Sequence, residues 1–327
     1  MSFLSKLPKP FIVLAPMDDV TDTVFRQIVA DLAPPDLYFT EFVNVDGLQS
    51  PGRPHLIHKL RFSDREHPII AQIWGLKPEN FYKTTKEIIE MGYDGVDLNM
   101  GCPVKTVVKN GACAALINNR SLAGEIIDAT KEAAGGHFPV SVKTRVGFTT
   151  PDFSWVEFLL SQKLDLLSIH GRTAKQLSKV PADWNLINEV RKLRDATCPS
   201  TLIVGNGDVM NRQQALELAE NYRLDGVMIG RGIFNDPFVF AKNSPWKLYT
   251  KRQKIDLYKK HVELFAEMWQ NGERRIETLN KFCKVYINGF TGAKELREEL
   301  MKAGSTIELL DLLNKELAGD KLEYSLI

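Results

Sequence analysis

The sequence predicts a (β/α)8 TIM barrel of the α/β class, followed by a smaller all-helical domain. Eight short apolar runs rich in β-branched residues recur as far as Pro237, and most are followed by a stretch with helical spacing. A polar residue stands at or near the end of nearly every run. After Pro237 the alternation stops and the apolar spacing is helical throughout. Repeated strand and helix units of this kind predict a closed parallel barrel.

The predicted strands are short and bounded by turn residues. They cover residues 11–15, 37–42, 69–73, 95–99, 140–144, 166–170, 202–205 and 226–229. The predicted outer helices have apolar residues three and four positions apart and cover residues 22–32, 79–91, 121–134, 184–194 and 211–222. Ser121 and Asn211 are the predicted capping residues of two of these helices.

The C-terminal part of the chain has a different organisation. Helical spacing covers residues 251–269, 273–289, 293–302 and 306–317, with glycines between these stretches. We therefore predict two domains, a catalytic barrel over residues 1–243 and a helical domain over residues 244–327.

Composition and charge exclude several classes of protein. Of the 327 residues, 44% are hydrophobic and 25% are charged, which is typical of a globular protein. The apolar runs are too short to cross a bilayer, and residues 1–10 lack the apolar core of a signal peptide, so we predict a cytoplasmic protein without membrane contact. The four cysteines are scattered without a C-x-x-C pair, which argues against a metal site and against disulfides.

The charge of +1 does not by itself require a nucleic-acid partner. Residues 246–303 nevertheless contain 13 lysines and arginines against 8 aspartates and glutamates. A solvated helical face explains this excess nearly as well as an RNA-binding face does.

Polar residues at the predicted strand ends locate a site. In a parallel barrel the active site lies at the carboxyl-terminal rim, so residues from separate strand ends converge there. The residues at these ends are Pro16, Met17 and Asp18, then Glu41, Gln72, Asn99, Lys143, His170, Asn206 and Arg231.

The turn after the fourth strand carries a cysteine. Gly101 and Pro103 force the chain to turn directly after Asn99, and Cys102 lies on that turn. An isolated cysteine is more often a small buried hydrophobe than a reactive group. Here an amide that can bind a ligand and a thiol that can release a proton share one loop, which favours a catalytic role.

Two glycine-rich turns follow the last two strands. They comprise Gly205-Asn206-Gly207-Asp208 and Gly230-Arg231-Gly232. Glycines let main-chain amides approach an anion, and the loops after strands seven and eight are the usual phosphate site of this fold. Arg231 can add charge-assisted hydrogen bonds, so we predict a phosphorylated ligand.

Several ordered motifs resemble those of the flavin-dependent tRNA-dihydrouridine synthases. They are Ala15-Pro16-Met17, Asp97-Leu98-Asn99 with Gly101-Cys102-Pro103, Val142-Lys143 with Arg145, His170-Gly171-Arg172-Thr173, and the two glycine turns just named. The resemblance covers nearly the whole chain. It departs from the family pattern at Asp19, where a glycine is usual, and at Ser178 and Val180, where tyrosine and glycine are usual.

The resemblance implies a set of binding residues. FMN would place its phosphate on Asn206, Gly207, Asp208, Gly230 and Arg231, and its ring near Pro16, Met17, Asp18, Gln72, Lys143 and His170. Asn99 and Arg145 would hydrogen-bond the uracil carbonyls. Lys105 and Lys109, on the loop after Cys102, would supply positive charge toward RNA.

The implied reaction is the reduction of the C5–C6 double bond of a uridine in tRNA. NADPH would reduce the flavin, the flavin would pass a hydride to C6, and Cys102 would protonate C5. We expect a monomer without a bound metal.

Three alternatives remain open from the residues alone. The chain could be another FMN barrel oxidoreductase that acts on a free pyrimidine or an enoate. Lys143 could be the Schiff-base lysine of an aldolase, since the charge of Arg145 would lower its pKa. The chain could also be a non-catalytic RNA-binding protein.

Overall fold

Eight parallel strands form one closed sheet in the computed structural model, which describes residues 3–324 and the side chains as far as residue 319. The strands are β1 (Phe11–Leu14), β2 (Tyr38–Asn44), β3 (Ile69–Trp74), β4 (Gly95–Met100), β5 (Val140–Arg145), β6 (Leu166–His170), β7 (Leu202–Asn206) and β8 (Gly226–Ile229). Each strand pairs with its neighbours in sequence, and β8 pairs with β1. A bridge between Val13 and Leu37 joins β1 to the start of β2, which closes the barrel.

The helices agree with the predicted pattern in most places. They are α1 (Thr23–Leu32), α2 (Val45–Leu48), α3 (Pro78–Glu90), α4 (Lys105–Lys109), α5 (Arg120–Ala134), α6 (Phe153–Ser161), α7 (Trp184–Thr197), α8 (Arg212–Tyr222), α9 (Lys251–Met268), α10 (Asn280–Tyr286), α11 (Ala293–Leu300) and α12 (Thr306–Tyr324). The sequence analysis did not predict α6. The stretch predicted as helical over residues 273–289 contains a turn of 3-10 helix followed by the shorter α10.

One of the two predicted helix caps is correct. Asn211 caps α8, since its Oδ1 accepts a hydrogen bond from the amide of Gln214 at 2.8 Å. The prediction for Ser121 is wrong, because α5 begins one residue earlier and Asn119 caps it through the amide of Leu122. Both Asn119 and Ser121 are good capping residues, and the sequence pattern did not distinguish them.

Alternating residues of the strands fill the barrel. The inward-facing apolar residues form one buried cluster, which includes Phe11, Val13, Leu37, Phe39, Ile70, Leu166, Val204 and Met228. Residues two positions apart on a strand face the same side. Toward the carboxyl-terminal ends the same faces become polar, at Gln72, Asn99, Lys143, His170 and Asn206. The apolar part therefore holds the barrel together, and the polar part forms the rim.

The chain divides into two compact units. Residues 3–23 together with Pro35–Gly232 form the barrel unit, and Val24–Pro34 together with residues 233–324 form the helical unit. Most of α1 therefore belongs to the helical unit by its contacts, although it was predicted as an outer helix of the barrel. The predicted domain boundary at residues 243 and 244 remains a prediction.

Aromatic side chains fill the interior of the helical unit. The ring centroid of Phe25 in α1 lies 4.8 Å from that of Phe282 and 5.8 Å from that of His261. Burial lowers the pKa of His261 to about 3, so its imidazole is neutral. Its Nδ1 lies 3.0 Å from the hydroxyl of Tyr286. These contacts explain why α1 groups with the helical unit.

Two further sequence predictions concern the membrane and the cysteines. Among the described residues, no helix combines the length and the apolar character needed to cross a bilayer. Cys102, Cys113, Cys198 and Cys283 are all free thiols.

The contact that closes the barrel between β8 and β1 leads to a stability prediction. A Cβ added at Gly226 would lie 2.7 Å from the carbonyl oxygen of Phe11 and 2.8 Å from its ring. Overpacking of a filled interior typically costs about 1–3 kcal/mol. We expect Gly226→Ala to lower the free energy of unfolding by that amount in urea denaturation.

The control for this prediction is a glycine in α5. A Cβ added at Gly124 would first meet the ring of Phe158 at 3.6 Å, an ordinary contact. Gly124→Ala should stabilise the protein by about 0.5–1 kcal/mol, because alanine restricts the unfolded chain. Equal effects of the two substitutions would show that the β8 to β1 contact is not tight.

Candidate active site

A chain of hydrogen bonds at the rim holds the cysteine-bearing turn. The Oδ1 atom of Asn99 accepts the amides of Gly101 at 3.1 Å and Cys102 at 3.0 Å. Its Nδ2 donates to the side-chain oxygen of Gln72 at 3.0 Å, and Nε2 of Gln72 donates to Asp97 at 2.7 Å. The position of Cys102 is therefore fixed through Asn99 and Gln72 by a buried carboxylate.

Asp97 is that carboxylate, and it is completely buried. Besides Gln72, the hydroxyl of Ser141 donates to it at 2.6 Å. Burial raises the pKa of Asp97 to about 6, although these two hydrogen bonds and the charge of Lys143 favour ionisation. Asp97 was part of a motif in the sequence analysis but had no assigned role.

The turn itself packs tightly against β5. A Cβ added at Gly101 would lie 3.1 Å from Cα of Thr144 and 3.3 Å from the carbonyl oxygen of Lys143. A side chain at position 101 would therefore be tightly packed against the main chain of β5, just before the cysteine.

Cys102 is half-buried, so it is partly accessible from solvent. Burial raises the pKa of its thiol, and the charge of Asp18 adds to that effect, while a main-chain hydrogen bond from Val104 and the charges of Arg145 and Lys143 oppose it. The thiol is therefore protonated at neutral pH. A protonated thiol next to cationic groups can give a proton and be stabilised as the thiolate afterwards.

Arg145 joins the Cys102 turn to the loop after β6. Its Nε donates to the carbonyl of Gly101 at 2.9 Å, and its Nη1 donates to the carbonyls of Thr173 and Leu177, each at 3.1 Å. Burial lowers the pKa of the guanidinium to about 10, and the charges of Arg172 and Arg231 act in the same direction. Most of its donors are thus used within the protein.

Lys143 lies on the same strand as this arginine, β5, and His170 lies on the neighbouring strand β6, where it pairs with Arg145. Nζ of Lys143 donates to Oδ1 of Asn206 at 3.3 Å. Burial and the charge of Arg145 lower the pKa of Lys143 to about 8, with Asp97 and Cys102 opposing. The pKa of His170 lies well below its usual value, because it is buried and four cations surround it. A neutral His170 accepts from Nη1 of Arg172 at Nε2, which leaves Nδ1 as its donor.

Asp208 balances two of the cations. It accepts from Nη2 of Arg172 and, at 3.1 Å, from Nη2 of Arg231. Burial opposes its ionisation, but the hydrogen bonds from Arg172 and from the Ala182 amide, with the charges of both arginines, lower its pKa. Arg172 is buried and was not assigned a role in the sequence analysis, although it is part of the quoted motif around His170.

The turn after β7 requires glycine. Gly207 has φ of 137°, and an added Cβ would lie 2.5 Å from Cβ of Ala182 and 3.3 Å from the His170 ring. At Gly230, by contrast, an added Cβ would meet nothing closer than Ala15 at 3.5 Å and Sδ of Met17 at 3.8 Å. The turn at Gly207 is therefore tightly packed, whereas the turn at Gly230 leaves space for a methyl group.

The loop after β1 carries an ion cluster. Nζ of Lys59 lies 2.5 Å from Asp18, 3.8 Å from Asp19 and 3.8 Å from the buried Glu41. Burial opposes the charged form of Lys59, but these three carboxylates outweigh it and raise its pKa. Lys59 thus offsets the negative charge that Asp18 and Asp19 bring to the rim, and sequence reasoning missed it because it lies on a separate loop.

The remaining predicted residues are Pro16, Met17, Lys105 and Lys109. Pro16 is buried, and the amide of Met17 donates to the Thr21 hydroxyl at 2.9 Å. Lys105 and Lys109 are exposed at the two ends of α4. The structure thus gathers Asn99, Cys102, Lys143, Arg145, His170 and Asn206 through direct contacts or paired strands.

Comparison with protein families and with curated proteins gives consistent matches. The sequence model of the family described as dihydrouridine synthase matches residues 13–321. The chain is 46% identical over 317 residues to a protein of Staphylococcus aureus (strain Mu50 / ATCC 700699) named "Probable tRNA-dihydrouridine synthase", covering 96% of this chain and 95% of that protein. It is also 46% identical over 316 residues to "Probable tRNA-dihydrouridine synthase 2" of Bacillus subtilis (strain 168), covering 96% of each chain.

Similar solved structures support the barrel fold alone, because sequence identity to them is low. Morphinone reductase aligns with a TM-score of 0.50 and 13% identity over 72% of this chain and 86% of that chain. Histamine dehydrogenase from Rhizobium sp. 4-9 aligns with a TM-score of 0.51 and 14% identity over 77% of this chain and 48% of that chain.

Asp97 leads to a pH prediction. Its pKa in the folded protein is about 6, above its usual value of 3.8, so the folded state binds the proton more tightly than the unfolded state. This contribution to stability is fully present at low pH and is lost as pH rises through about 6. Relative to Asp97→Asn, the wild-type free energy of unfolding should fall by about 1–2 kcal/mol between about pH 5 and pH 7.5.

Urea denaturation at several pH values measures this difference. Asp128→Asn, on the exposed side of α5, is the matched control. Its stability difference from the wild type should not follow the Asp97 curve. A constant difference for Asp97→Asn would contradict the raised pKa.

Proposed function

Because the chain belongs to the dihydrouridine synthase family, we propose that it is an oxidoreductase that converts a uridine of tRNA to dihydrouridine. We further propose FMN as its cofactor and NADPH as the reductant. The observation that carries the proposal is the half-buried, protonated Cys102, held by Asn99 beside the cationic groups of the rim.

The residues of the rim fit an anionic flavin nucleotide. Lys143, Arg145, Arg172 and Arg231 all act on His170, and each lowers its pKa. Asp208 offsets two of these cations. Burial raises the pKa of Asp97 to about 6, so Asp97 is mostly ionised at neutral pH and offsets part of the charge of Lys143. An excess of positive charge in a partly buried site favours a phosphate and a ring that becomes anionic on reduction.

We propose that the two glycine turns bind the FMN phosphate. The turn at Gly230 is open, and Arg231 supplies a cation. The main-chain amides at Gly207 and Gly230 are the proposed donors to the phosphate. The Asp208 carboxylate would repel a phosphate, and its role here is to orient Arg172 and Arg231. Asn206 is tied to Lys143 and to the carbonyl of Met228, so we propose that it positions the lysine at the flavin ring.

The other predicted flavin residues belong to or follow the strands β1, β3, β5 and β6. We propose that Lys143 contacts the ring edge that gains negative charge, and that the free Nδ1 of His170 donates to the ring. Pro16, Met17 and Asp18 would border the ring from the loop after β1. Gln72 uses both ends of its amide within the protein, so its proposed contribution is to hold Asn99.

Bound FMN supplies the hydride that reduces the uracil ring. Cys102 holds a proton on Sγ and delivers it to C5, and the nearby Arg145 and Lys143 stabilise the resulting thiolate. Nη2 of Arg145 and the second hydrogen of Asn99 Nδ2 are the donors proposed for the uracil carbonyls. The uridine must leave its stack to reach them, and we propose that the exposed Lys105 and Lys109 on α4 attract the RNA phosphates.

The alternatives raised by the sequence are less well supported. A lysine with a pKa of about 8 would also suit a Schiff base. Against this, Lys143 donates a hydrogen bond to Asn206, and the chain matches the dihydrouridine synthase family. An oxidoreductase for a free pyrimidine or an enoate is not favoured, since the relatives are named for tRNA. A non-catalytic protein would not need a positioned thiol.

The purified protein itself tests the proposal. We expect a flavin absorption spectrum, bleaching by NADPH without oxygen, and reoxidation on addition of tRNA lacking dihydrouridine, with new dihydrouridine in the product. Reoxidation by small enoates but not by tRNA would favour the alternative oxidoreductase. A protein that binds no flavin would contradict the proposed cofactor.

Replacement of Cys102 tests the proton donor. Cys102→Ala should keep its flavin and its reduction by NADPH, yet lose dihydrouridine formation by about 100-fold or more, the usual contribution of a general acid. Cys198→Ala is the control, because Cys198 is buried at the end of α7. Normal turnover in Cys102→Ala would exclude the thiol as the proton donor.

A further inference from the structure

A cleft lies beside the Cys102 turn in the barrel unit. Its volume is about 390 Å³, and one wall begins at Pro103, the residue after Cys102. α4 forms this wall, and the loops after β5 and β6 form the other. We call it the lysine cleft, after Lys105, Lys109, Lys175 and Lys179, which line it.

The floor of the lysine cleft is apolar and contains an aromatic ring. Phe148, Val108 and Leu177 are half-buried there. Nζ of Lys175 lies 5.7 Å from the ring centroid of Phe148. An aromatic face next to cationic groups is the arrangement that binds single-stranded nucleic acid, because every base can stack on it.

The four lysines carry charge that nothing in the described part of the chain offsets. All are exposed, none lies within 4.0 Å of a carboxylate among the described residues, and no aspartate or glutamate lines the cleft. Elsewhere on the barrel, lysines such as Lys59 and Lys192 do pair with acids. The cleft therefore attracts an anion.

Two buried arginines fix the loop that carries Lys175 and Lys179. Arg145 donates to the carbonyl of Leu177, which has φ of 53°, and Arg172 donates to the carbonyl of Val180 at 2.5 Å. The amide of Lys175 also donates to the carbonyl of Phe148 at 2.9 Å. The cleft is thus shaped by the folded protein before any ligand binds, which lowers the entropic cost of binding.

We propose that the lysine cleft binds the RNA nucleotide next to the target uridine, with its base on Phe148 and its phosphates at the lysines. The inference rests on the proposed function, because Cys102 marks where the uridine would lie. A cleft of this volume is large enough for one nucleotide-sized ligand. Its position beside Pro103 places that nucleotide next to the one that reaches the thiol.

Substitutions of Phe148 test the stacking. Phe148→Ala should raise KM for tRNA at least about fivefold with little change in kcat, and Phe148→Trp should restore it, since stacking needs only a flat ring. Tyr82→Ala is the matched control: Tyr82 is also half-buried, with Lys86 lying 5.8 Å from its ring, but it is on α3. This control should leave KM unchanged.

Substitutions of the lysines test the phosphate contacts. For Lys175→Gln with Lys179→Gln, the slope of log binding constant against log salt, measured with tRNA, should fall by about 0.7 for each lysine removed. Lys86→Gln should leave the slope unchanged. Flavin content and the rate of reduction by NADPH should stay at wild-type values in every variant, which confirms folding.

The outcomes separate this inference from the proposed function. If the wild type forms dihydrouridine but Phe148→Ala and the lysine variants match the controls, the inference is wrong and the function stands. If the variants raise KM for NADPH instead of tRNA, the cleft binds the coenzyme and the inference is overturned. If the wild type itself does not act on tRNA, the proposed function fails first.

Discussion

The buried carboxylate of Asp97 is the group on which the geometry of the site depends. It accepts from Gln72 and Ser141, and the amide of Gln72 in turn fixes Asn99. Since Asn99 accepts the amides of Gly101 and Cys102, the Cys102 turn is held by side chains from the three strands β3, β4 and β5. A loop held in this way keeps a reactive group in place without covering it.

Unlike the buried network around Asp97, the rim carries mostly positive charge. Four cations surround a neutral His170, and only part of their charge is offset by Asp208. Burial lowers the pKa values of Lys143 and Arg145, and neighbouring arginines act in the same direction. Such a cluster lowers stability on its own, and a bound anion relieves the repulsion.

Much of the barrel could be predicted from residue patterns, and the elements that were not predicted have physical explanations. The short apolar runs and the polar residues at their ends placed Asn99, Lys143 and His170 at the carboxyl-terminal ends of strands, where the structure has them. Helix α6 was missed because Phe153–Ser161 is apolar on most sides and shows little amphipathic spacing. The grouping of α1 with the helical unit was also not predictable, because an apolar helix face does not reveal its partner.

Atomic roles within the site were harder to predict than positions. Asn99 and Arg145 were predicted as ligands for uracil, yet most of their hydrogen-bonding atoms hold the Cys102 turn and the loop after β6. A sequence shows that a polar group is present at the rim but not which neighbouring carbonyl or amide it binds. For the same reason Asp97, Arg172 and Lys59 had no role assigned before the structure.

The departures from the family pattern are explained by the main chain. Asp19 has φ of 54°, a left-handed conformation that glycine adopts freely and aspartate tolerates better than most residues, and Lys59 lies near its carboxylate. Ser178 and Val180 belong to a loop that Arg145 and Arg172 hold through the carbonyls of Leu177 and Val180. Because these contacts involve backbone atoms, side chains on the loop can change while its shape is kept. Side chains on this loop can therefore differ without disturbing the Cys102 turn, where the chemistry is proposed to occur.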